Sequence, residues 1–194
     1  MNTSINIFTK CPYVGNPKTR LSSFFTKSEQ TLIAEHLLDN IINEVCRLPL
    51  QNTKKNIYIY PRVTDNFLDS YKNVDTFNLI EQRGDNLNIR MLNCINDQAQ
   101  YAQKVLLFGS DILGLTSEII ENGIHELDNN DAVVGPATDG GYYLIGFKDF
   151  SKSYLQSSNL NPEVIRDCLS DKNLSFTELD QLSDIDYPDD ILVI

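Results

Sequence analysis

The 194-residue sequence has few cationic residues. It contains 16 lysines and arginines against 27 aspartates and glutamates, which gives a net charge of −11. This deficit argues against general nucleic-acid binding, which needs a basic face to displace counterions, and against an anionic membrane surface as partner. An acidic protein that handles phosphates must instead gather its few cations locally or use a metal ion.

Cysteine, histidine and long apolar runs are also scarce. The four cysteines are widely spaced and form no Cys/His cluster, which argues against a structural zinc site. The two histidines have no visible nucleophile partner, so triad hydrolase chemistry has no support. No apolar run approaches the ~20 residues of a membrane helix, and the N-terminus lacks the features of a signal peptide. We therefore expect a cytoplasmic protein, and its length fits one domain over residues 1–194.

Strand-like and helical patterns alternate along the chain. The apolar run KVLLF (Lys104–Phe108) is typical of a central parallel strand, and Thr26 with Glu29 predicts a capped helix that runs to about Arg47. This alternation predicts an α/β fold with a mostly parallel sheet between two layers of helices. Ligands of such folds bind at the carboxyl ends of the strands. Further strands are predicted at residues 5–8, 56–60, 74–80, 131–135, 142–147 and 174–179, and further helices at 87–101, 116–127 and 162–169.

The segment KCPYVGNPKTRL directly follows the first predicted strand. Gly15 permits a close backbone approach, and Lys18 and Arg20 offer a point charge and a planar fork that suit phosphate oxygens. Neither GxGxxG nor the Walker pattern is present, so this is not one of the standard phosphate loops. On spacing alone, a phosphate site and a solvated turn with surface cations are both open.

Asp111 follows the predicted central strand in the segment GSD. A carboxylate there can hold a divalent cation against a phosphate, or it can simply close a turn or cap a helix. Near the C-terminus, Asp184 and Asp186 are one residue apart and are further candidates for metal ligands.

The segment PATDGG separates two predicted strands and is longer than a tight hairpin requires. Its adjacent glycines, Gly140 and Gly141, can bring backbone N–H groups close to a ligand, and Asp139 can accept a hydroxyl hydrogen bond. An ordinary hairpin is the alternative. Gly84 and Asp85 follow the third predicted strand at the ligand edge, where a plain strand-to-helix loop is the other interpretation.

The segments FTKCPYVGNPKTRL, GSD, VVGPATDGGYYLIGF and DIDYPDDI occur in the order and spacing of the radical-SAM/selenodomain-associated transferase family, which this chain resembles from Ile5 to Ile191. That family belongs to the nucleotide-diphospho-sugar transferase superfamily. More distantly, the chain is similar to 2-phospho-L-lactate guanylyltransferase. The resemblance implies a Rossmann-like three-layer GT-A fold with a mostly parallel mixed sheet, in a single transferase domain.

The resemblance also implies roles for individual residues. Lys18 and Arg20 would bind the phosphates of a nucleotide, and Lys10 would either join them or support the loop. Asp111 matches the acid that holds a divalent metal in the superfamily, with Asp186 as a second ligand and Mg²⁺ or Mn²⁺ as the metal.

The remaining matched positions would form the rest of the site. Gly15, Gly84 and Asp85 would contact the nucleotide, and the segment Asp139–Gly141 would line the acceptor or sugar pocket. The implied function is a metal-dependent transferase, either a glycosyltransferase or a nucleotidyltransferase, which takes a nucleotide or nucleotide-sugar donor and a small-molecule acceptor.

The sequence departs from the family at three places. GSDILGL lacks the usual proline after Asp111, and GDNLNIRM has an extra residue and an asparagine at a glycine position. The segment LQSSNLNPEV replaces the usual Trp-Ser-Thr, since the protein has no tryptophan. These departures motivate the alternative of a catalytically weakened nucleotide-binding protein of the same fold.

Overall fold

The structure is a computed structural model and describes residues 2–14, 18–49, 51–63, 65–71, 74–151 and 160–185. These residues form nine strands and four α-helices. The strands are β1 (Thr3–Lys10), β2 (Thr53–Tyr60), β3 (Phe77–Glu81), β4 (Lys104–Gly109), β5 (Ile112–Leu113), β6 (Ala132–Pro136), β7 (Tyr142–Lys148), β8 (Phe176–Glu178) and β9 (Ser183–Asp184). The helices are α1 (Lys27–Arg47), α2 (Leu87–Gln98), α3 (Ser117–Asn129) and α4 (Pro162–Asp171).

Seven strands form one sheet in the order β3-β2-β1-β4-β7-β6-β8. Within this described sheet, β7 runs antiparallel to both of its neighbours and every other pairing is parallel. The predicted α/β fold with a mostly parallel mixed sheet is therefore confirmed. The parallel strands end together at one edge, which we call the carboxyl edge and which is marked by Tyr60, Lys10, Gly109 and Pro136.

Helices cover both faces of the sheet, as the three-layer prediction requires. One apolar cluster joins β1 to α1 and α3 through residues such as Ile7, Leu38 and Ile120. A second cluster, on the opposite face, joins the sheet to α2 and α4 through residues such as Ile95 and Ile165. None of the described helices is long and apolar enough to cross a membrane.

The predicted helix starts are confirmed in atomic detail. The N–H of Thr26 donates to Glu29 Oε2 at 2.7 Å, and the N–H of Glu29 donates back to Thr26 Oγ1 at 3.4 Å, which completes the capping box of α1. Thr116 Oγ1 likewise accepts from the N–H of Ile119 at the start of α3. The end of the chain, 186–194, lies outside the described residues.

Gly135 allows β6 to pack closely against β7, and this contact predicts a large effect on stability. A Cβ atom at Gly135 would lie 2.4 Å from Cζ of Tyr143, whose buried ring is held by a hydrogen bond from its hydroxyl to Asp180 O at 3.0 Å. We expect Gly135→Ala to lower the free energy of unfolding by about 2–3 kcal/mol through overpacking, as measured by urea denaturation.

Gly123→Ala is the matched control for this prediction. Its Cβ would meet Leu179 Cδ1 at an ordinary 3.4 Å, and the position lies inside α3, where alanine is preferred to glycine. This variant should leave the free energy of unfolding unchanged or raise it by up to ~1 kcal/mol. Equal stability of the two variants would contradict the packing that we describe.

Candidate active site

A lysine and an aspartate from two predicted loops meet at the carboxyl edge. Lys18 Nζ donates to Asp111 Oδ2 at 3.1 Å and to the carbonyl oxygen of Ile185 at 2.9 Å. The Lys18 side chain is only 9% exposed, whereas the Asp111 side chain is 50% exposed. The structure therefore brings together one predicted phosphate-binding cation and the predicted metal-binding carboxylate, and the carboxylate faces solvent.

The first loop reaches this position through a local turn. Lys18 has a left-handed backbone conformation (φ 53°, ψ 47°) and precedes a 3-10 turn over Thr19–Leu21. The N–H of Leu21 donates to Lys18 O at 2.9 Å, and the Leu21 side chain is fully buried. Arg20 is exposed on the same turn, and Gly15 lies outside the described residues. The buried leucine anchors the loop that carries Lys18.

Asp111 is positioned by the end of β4 and by a neighbouring strand end. A Cβ atom at Gly109 would lie 2.9 Å from Asp111 Oδ1, so glycine makes room for the carboxylate beside the strand end. Ser110 Oγ donates to Thr9 Oγ1 at 2.7 Å and ties the end of β4 to the end of β1. The two loops that carry Asp111 and Lys18 therefore start from strands that are joined at the edge itself.

The C-terminal segment is also bound to this point. The N–H of Ile185 donates to Asp111 O at 3.1 Å, and β9 pairs with β5, so that Asp184 lies opposite Ile112. Asp186, the second predicted metal ligand, lies outside the described residues, but it directly follows Ile185. The backbone therefore contacts Asp111 at the residue just before Asp186.

The described residues fit a metal that arrives with phosphates better than they fit a closed metal cage. Over the described ranges, no group of three or more histidine, cysteine, aspartate or glutamate side chains could hold a metal ion. Mg²⁺, however, commonly binds one or two carboxylates and completes its coordination with substrate phosphates and water. The half-exposed carboxylate of Asp111, next to a lysine that suits phosphate, matches that donor set.

The segment 137–141 forms a compact loop between β6 and β7. Asp139 Oδ1 accepts from the N–H of Gly141 at 2.8 Å, and the N–H of Gly140 donates to Ala137 O at 3.2 Å. Gly140 has φ +87°, a conformation that favours glycine. The N–H groups of both glycines are thus used within the loop, and the predicted role of Asp139–Gly141 in an acceptor pocket remains a prediction.

The same loop contacts the C-terminal segment that reaches Asp111. Thr138 Oγ1 donates to Ser183 Oγ at 3.3 Å, and the N–H of Thr138 donates to Leu182 O at 2.9 Å. The loop at 137–141 and the Lys18–Asp111 pair are therefore linked through residues 182–185, at adjacent places on the carboxyl edge.

The loop between β3 and α2 lies at the other end of the carboxyl edge, because β3 is the outermost strand there. Gly84 has φ +141°, and a Cβ there would lie 2.7 Å from Ile89 Cγ2 and 3.0 Å from Arg90 N, so glycine lets the loop pass against α2. Asn86 Oδ1 accepts from the N–H of Ile89 at 3.0 Å and caps the helix. Asp85 is exposed beside them. The segment GDNLNIRM therefore forms a regular loop and helix start, despite its departure from the family pattern.

The stacking of Arg90 on Tyr60 at this end of the edge was not predicted from the sequence. The guanidinium carbon of Arg90 lies 3.9 Å from the centre of the Tyr60 ring, and Tyr60 is the last residue of β2. Lys10, the last residue of β1, is exposed and lies opposite Tyr60 in the parallel pairing. A large aromatic residue at the end of a buried strand was the available signal, but it did not indicate which residue would stack on it.

Two neighbouring tyrosines at the start of β7 remain protonated at ordinary pH. Burial raises the pKa of Tyr143 to about 12, with a further contribution from the charge of Asp180. Burial also raises the pKa of Tyr142, whose hydroxyl lies 3.9 Å from Met91 Sδ. The hydroxyls of both tyrosines therefore act as hydrogen-bond donors and not as bases.

Comparisons with known proteins agree with this fold. The chain is similar to a protein from Desulfovibrio desulfuricans G20, provisionally described as a nucleotide-diphospho-sugar transferase, with 25% identity and a TM-score of 0.84 over 96% of this chain and 84% of the other. It shares its fold with 4-diphosphocytidyl-2C-methyl-D-erythritol synthase from Anaerococcus prevotii DSM 20548 (12% identity, TM-score 0.61, 98% and 94% coverage). It also shares its fold with the manganese complex of Rv0371C from Mycobacterium tuberculosis H37Rv (11% identity, TM-score 0.53, 100% and 97% coverage).

Sequence comparison gives the family. No curated protein matches the chain. Residues 48–161, more than half of the chain, match the family described as an uncharacterized protein conserved in bacteria. The chain therefore belongs to the DUF2064 family, and it has the α/β fold of the nucleotide-diphospho-sugar transferases.

Proposed function

We propose that this protein is a metal-dependent transferase that takes a nucleotide or nucleotide-sugar donor and passes a group to a small-molecule acceptor. The observation that carries the proposal is the contact between Lys18 and Asp111 at the carboxyl edge, where α/β folds of this type bind ligands. The similarity to the Desulfovibrio protein supports the proposal. The narrower resemblance to the radical-SAM/selenodomain-associated transferases stays a prediction.

The residues of the site would act by position and charge. Asp111, together with Asp186, would hold Mg²⁺ or Mn²⁺, which supplies charge neutralisation to phosphate oxygens when it is bound. Lys18 has three ammonium hydrogens and would donate to a phosphate oxygen from its buried position, with Arg20 added from the exposed side of the turn. Phosphoryl and glycosyl transfer depend mainly on orientation and electrostatic stabilisation, so no covalent nucleophile of the protein is needed.

Two reactions fit this arrangement. In glycosyl transfer, the acceptor attacks the sugar carbon and the nucleoside diphosphate leaves. In nucleotidyl transfer, an acceptor phosphate attacks the α-phosphorus and pyrophosphate leaves. The Desulfovibrio protein is provisionally described as a nucleotide-diphospho-sugar transferase, and the Anaerococcus protein is named for a diphosphocytidyl product.

A nucleotide-binding protein with weakened catalysis is the second candidate. The observation that favours it is the loop 137–141, whose two glycine N–H groups are bonded within the loop instead of facing a substrate. A protein with an intact donor site and an altered acceptor site would bind nucleotides without turnover. Phosphorus NMR of the products separates the two candidates, because only a transferase releases pyrophosphate or a nucleoside diphosphate.

A thermal-shift screen tests the donor site. Nucleoside triphosphates and nucleotide sugars are added with Mg²⁺, with Mn²⁺ or with a chelator. A ligand at about 100 times its Kd contributes about 2.7 kcal/mol, which raises the Tm of a protein of this size by about 5–10 °C. The matching nucleoside, which lacks phosphates, is the control and should give a much smaller shift at the same concentration. If no nucleotide shifts the Tm with either metal, the proposed function is wrong.

A further inference from the structure

Arg90 and Tyr60 form an exposed π surface at the carboxyl edge. The guanidinium of Arg90 lies over the Tyr60 ring at 3.9 Å, and Tyr60 is 42% exposed. Arg90 is half-buried, and its Nε is buried without a hydrogen-bond partner among the described residues. A buried donor that makes no hydrogen bond costs free energy.

The pair is held in place before any ligand arrives. The loop residue Gly84 packs directly on Arg90. A Cβ at Gly84 would lie 3.0 Å from the backbone nitrogen of Arg90 and 3.2 Å from its Cγ. Gln82 Nε2 donates to Thr9 O and to Tyr58 O, each at 2.9 Å, and so ties the end of β3 to β1 and β2. A rigid aromatic and arginine surface loses little conformational freedom when a planar ligand binds to it.

The distance between the Arg90–Tyr60 pair and the phosphate site at Asp111 suits a nucleotide. Tyr60 is the neighbour of Lys10 on β1, and β1 is in turn the neighbour of β4, which leads to Asp111. Adjacent strands are about 4.8 Å apart, so the end of β2 lies about 10 Å from the end of β4. A ribose and its phosphates bridge a gap of this order between a base and a metal-phosphate site.

From these observations we infer that Arg90 and Tyr60 form the surface on which the nucleobase of the donor stacks. The inference rests on the proposed nucleotide donor. The base would cover the accessible π surface. Stacking on such a surface accepts every base, because each base has a π face. The pair therefore contributes affinity for the nucleoside, and selection between bases belongs to other contacts.

Isothermal titration with two kinds of ligand tests this inference. The four ribonucleoside triphosphates carry a base, whereas inorganic tripolyphosphate carries the same anionic group without one. We expect Arg90→Lys and Tyr60→Ala each to weaken binding of the triphosphates about tenfold, by a similar factor for each base that binds, and to leave the Kd of tripolyphosphate unchanged. Tyr60→Phe keeps the ring and should retain the affinity.

Arg83→Lys is the matched control, because Arg83 forms an exposed ion pair with Asp97 of α2 at 2.5 Å that a lysine preserves. If the wild-type protein binds triphosphates and the Arg90 and Tyr60 variants bind them equally well, this inference is wrong and the proposed function stands. If tripolyphosphate loses as much affinity as the triphosphates, the pair contacts phosphate and the inference is again wrong. If the wild-type protein binds neither ligand, the proposed function and the inference both fail.

Discussion

Replacing Lys18 with methionine is expected to weaken binding of a nucleoside triphosphate by about 10- to 100-fold, because a hydrogen bond to a charged group contributes about 1.5–3 kcal/mol. Methionine keeps most of the length and apolar volume of the side chain but removes the ammonium that lies 3.1 Å from Asp111 Oδ2. Inorganic tripolyphosphate should lose affinity by the same factor as the nucleotide, because Lys18 acts on the phosphates. Isothermal titration in the presence of Mg²⁺ measures both.

Lys27→Met is the control for this variant. Lys27 is exposed at the first position of α1, and its replacement changes the net charge of the protein by the same amount as Lys18→Met. It should leave both affinities within about twofold, since exposed charges in salt act weakly over long distances. Urea denaturation of Lys18→Met shows whether loss of the hydrogen bond to Ile185 has loosened the C-terminal segment. Equal nucleotide affinities for the two variants would contradict the assignment of Lys18.

Asp111→Asn is expected to reduce turnover by about 100- to 1,000-fold, the usual cost of removing one preorganised electrostatic group from an active site. Asparagine keeps the shape of the side chain but removes the charge that would hold the divalent cation, so nucleotide affinity should also stop depending on Mg²⁺ concentration. The substrate pair is found by phosphorus NMR with the nucleotide that gives the largest thermal shift. Turnover and affinity are then measured across a Mg²⁺ titration.

Asp128→Asn is a closely matched control, because Asp128 also forms an ion pair with a buried lysine, Lys104, at the opposite end of β4. Lys104 Nζ donates to Asp128 Oδ1 and to the carbonyl oxygen of Ile124, each at 2.7 Å, and Asp128 is 49% exposed. The hydrogen bond from Lys104 lowers the pKa of Asp128. Turnover of Asp128→Asn should be unchanged. If both aspartate variants keep the Mg²⁺ dependence of the wild-type protein, Asp111 does not hold the metal.

The sequence could predict the parts of the site that local chemistry determines. The capping box at Thr26 and the cap at Thr116 fixed two helix starts, and the apolar run before Gly109 identified the central strand. Because the carboxyl ends of adjacent parallel strands meet at one edge, a loop after β1 and a loop after β4 had to converge. The meeting of Lys18 with Asp111 follows from that rule.

The contacts that could not be predicted join residues far apart in the sequence. Strands β5 and β9 are two residues long and carry no pattern, yet they bring Ile185 to Asp111 across most of the second half of the chain. The stacking of Arg90 on Tyr60 depends on how α2 is seated on the sheet. Asp139 could be assigned to a loop but not to its bond with Gly141, because an Asp-Gly-Gly segment is compatible with several turns.

The most direct test is electron-nuclear double resonance of Mn²⁺ bound to the protein together with the nucleotide that gives the largest thermal shift. If Asp111 holds a metal that bridges to donor phosphates, the spectrum of the wild-type protein will show strong phosphorus coupling, and Asp111→Asn will lose the protein-bound Mn²⁺ signal while Asp128→Asn keeps it. A protein-bound Mn²⁺ without phosphorus coupling, or a coupling that persists unchanged in Asp111→Asn, would contradict a metal-phosphate site at the carboxyl edge.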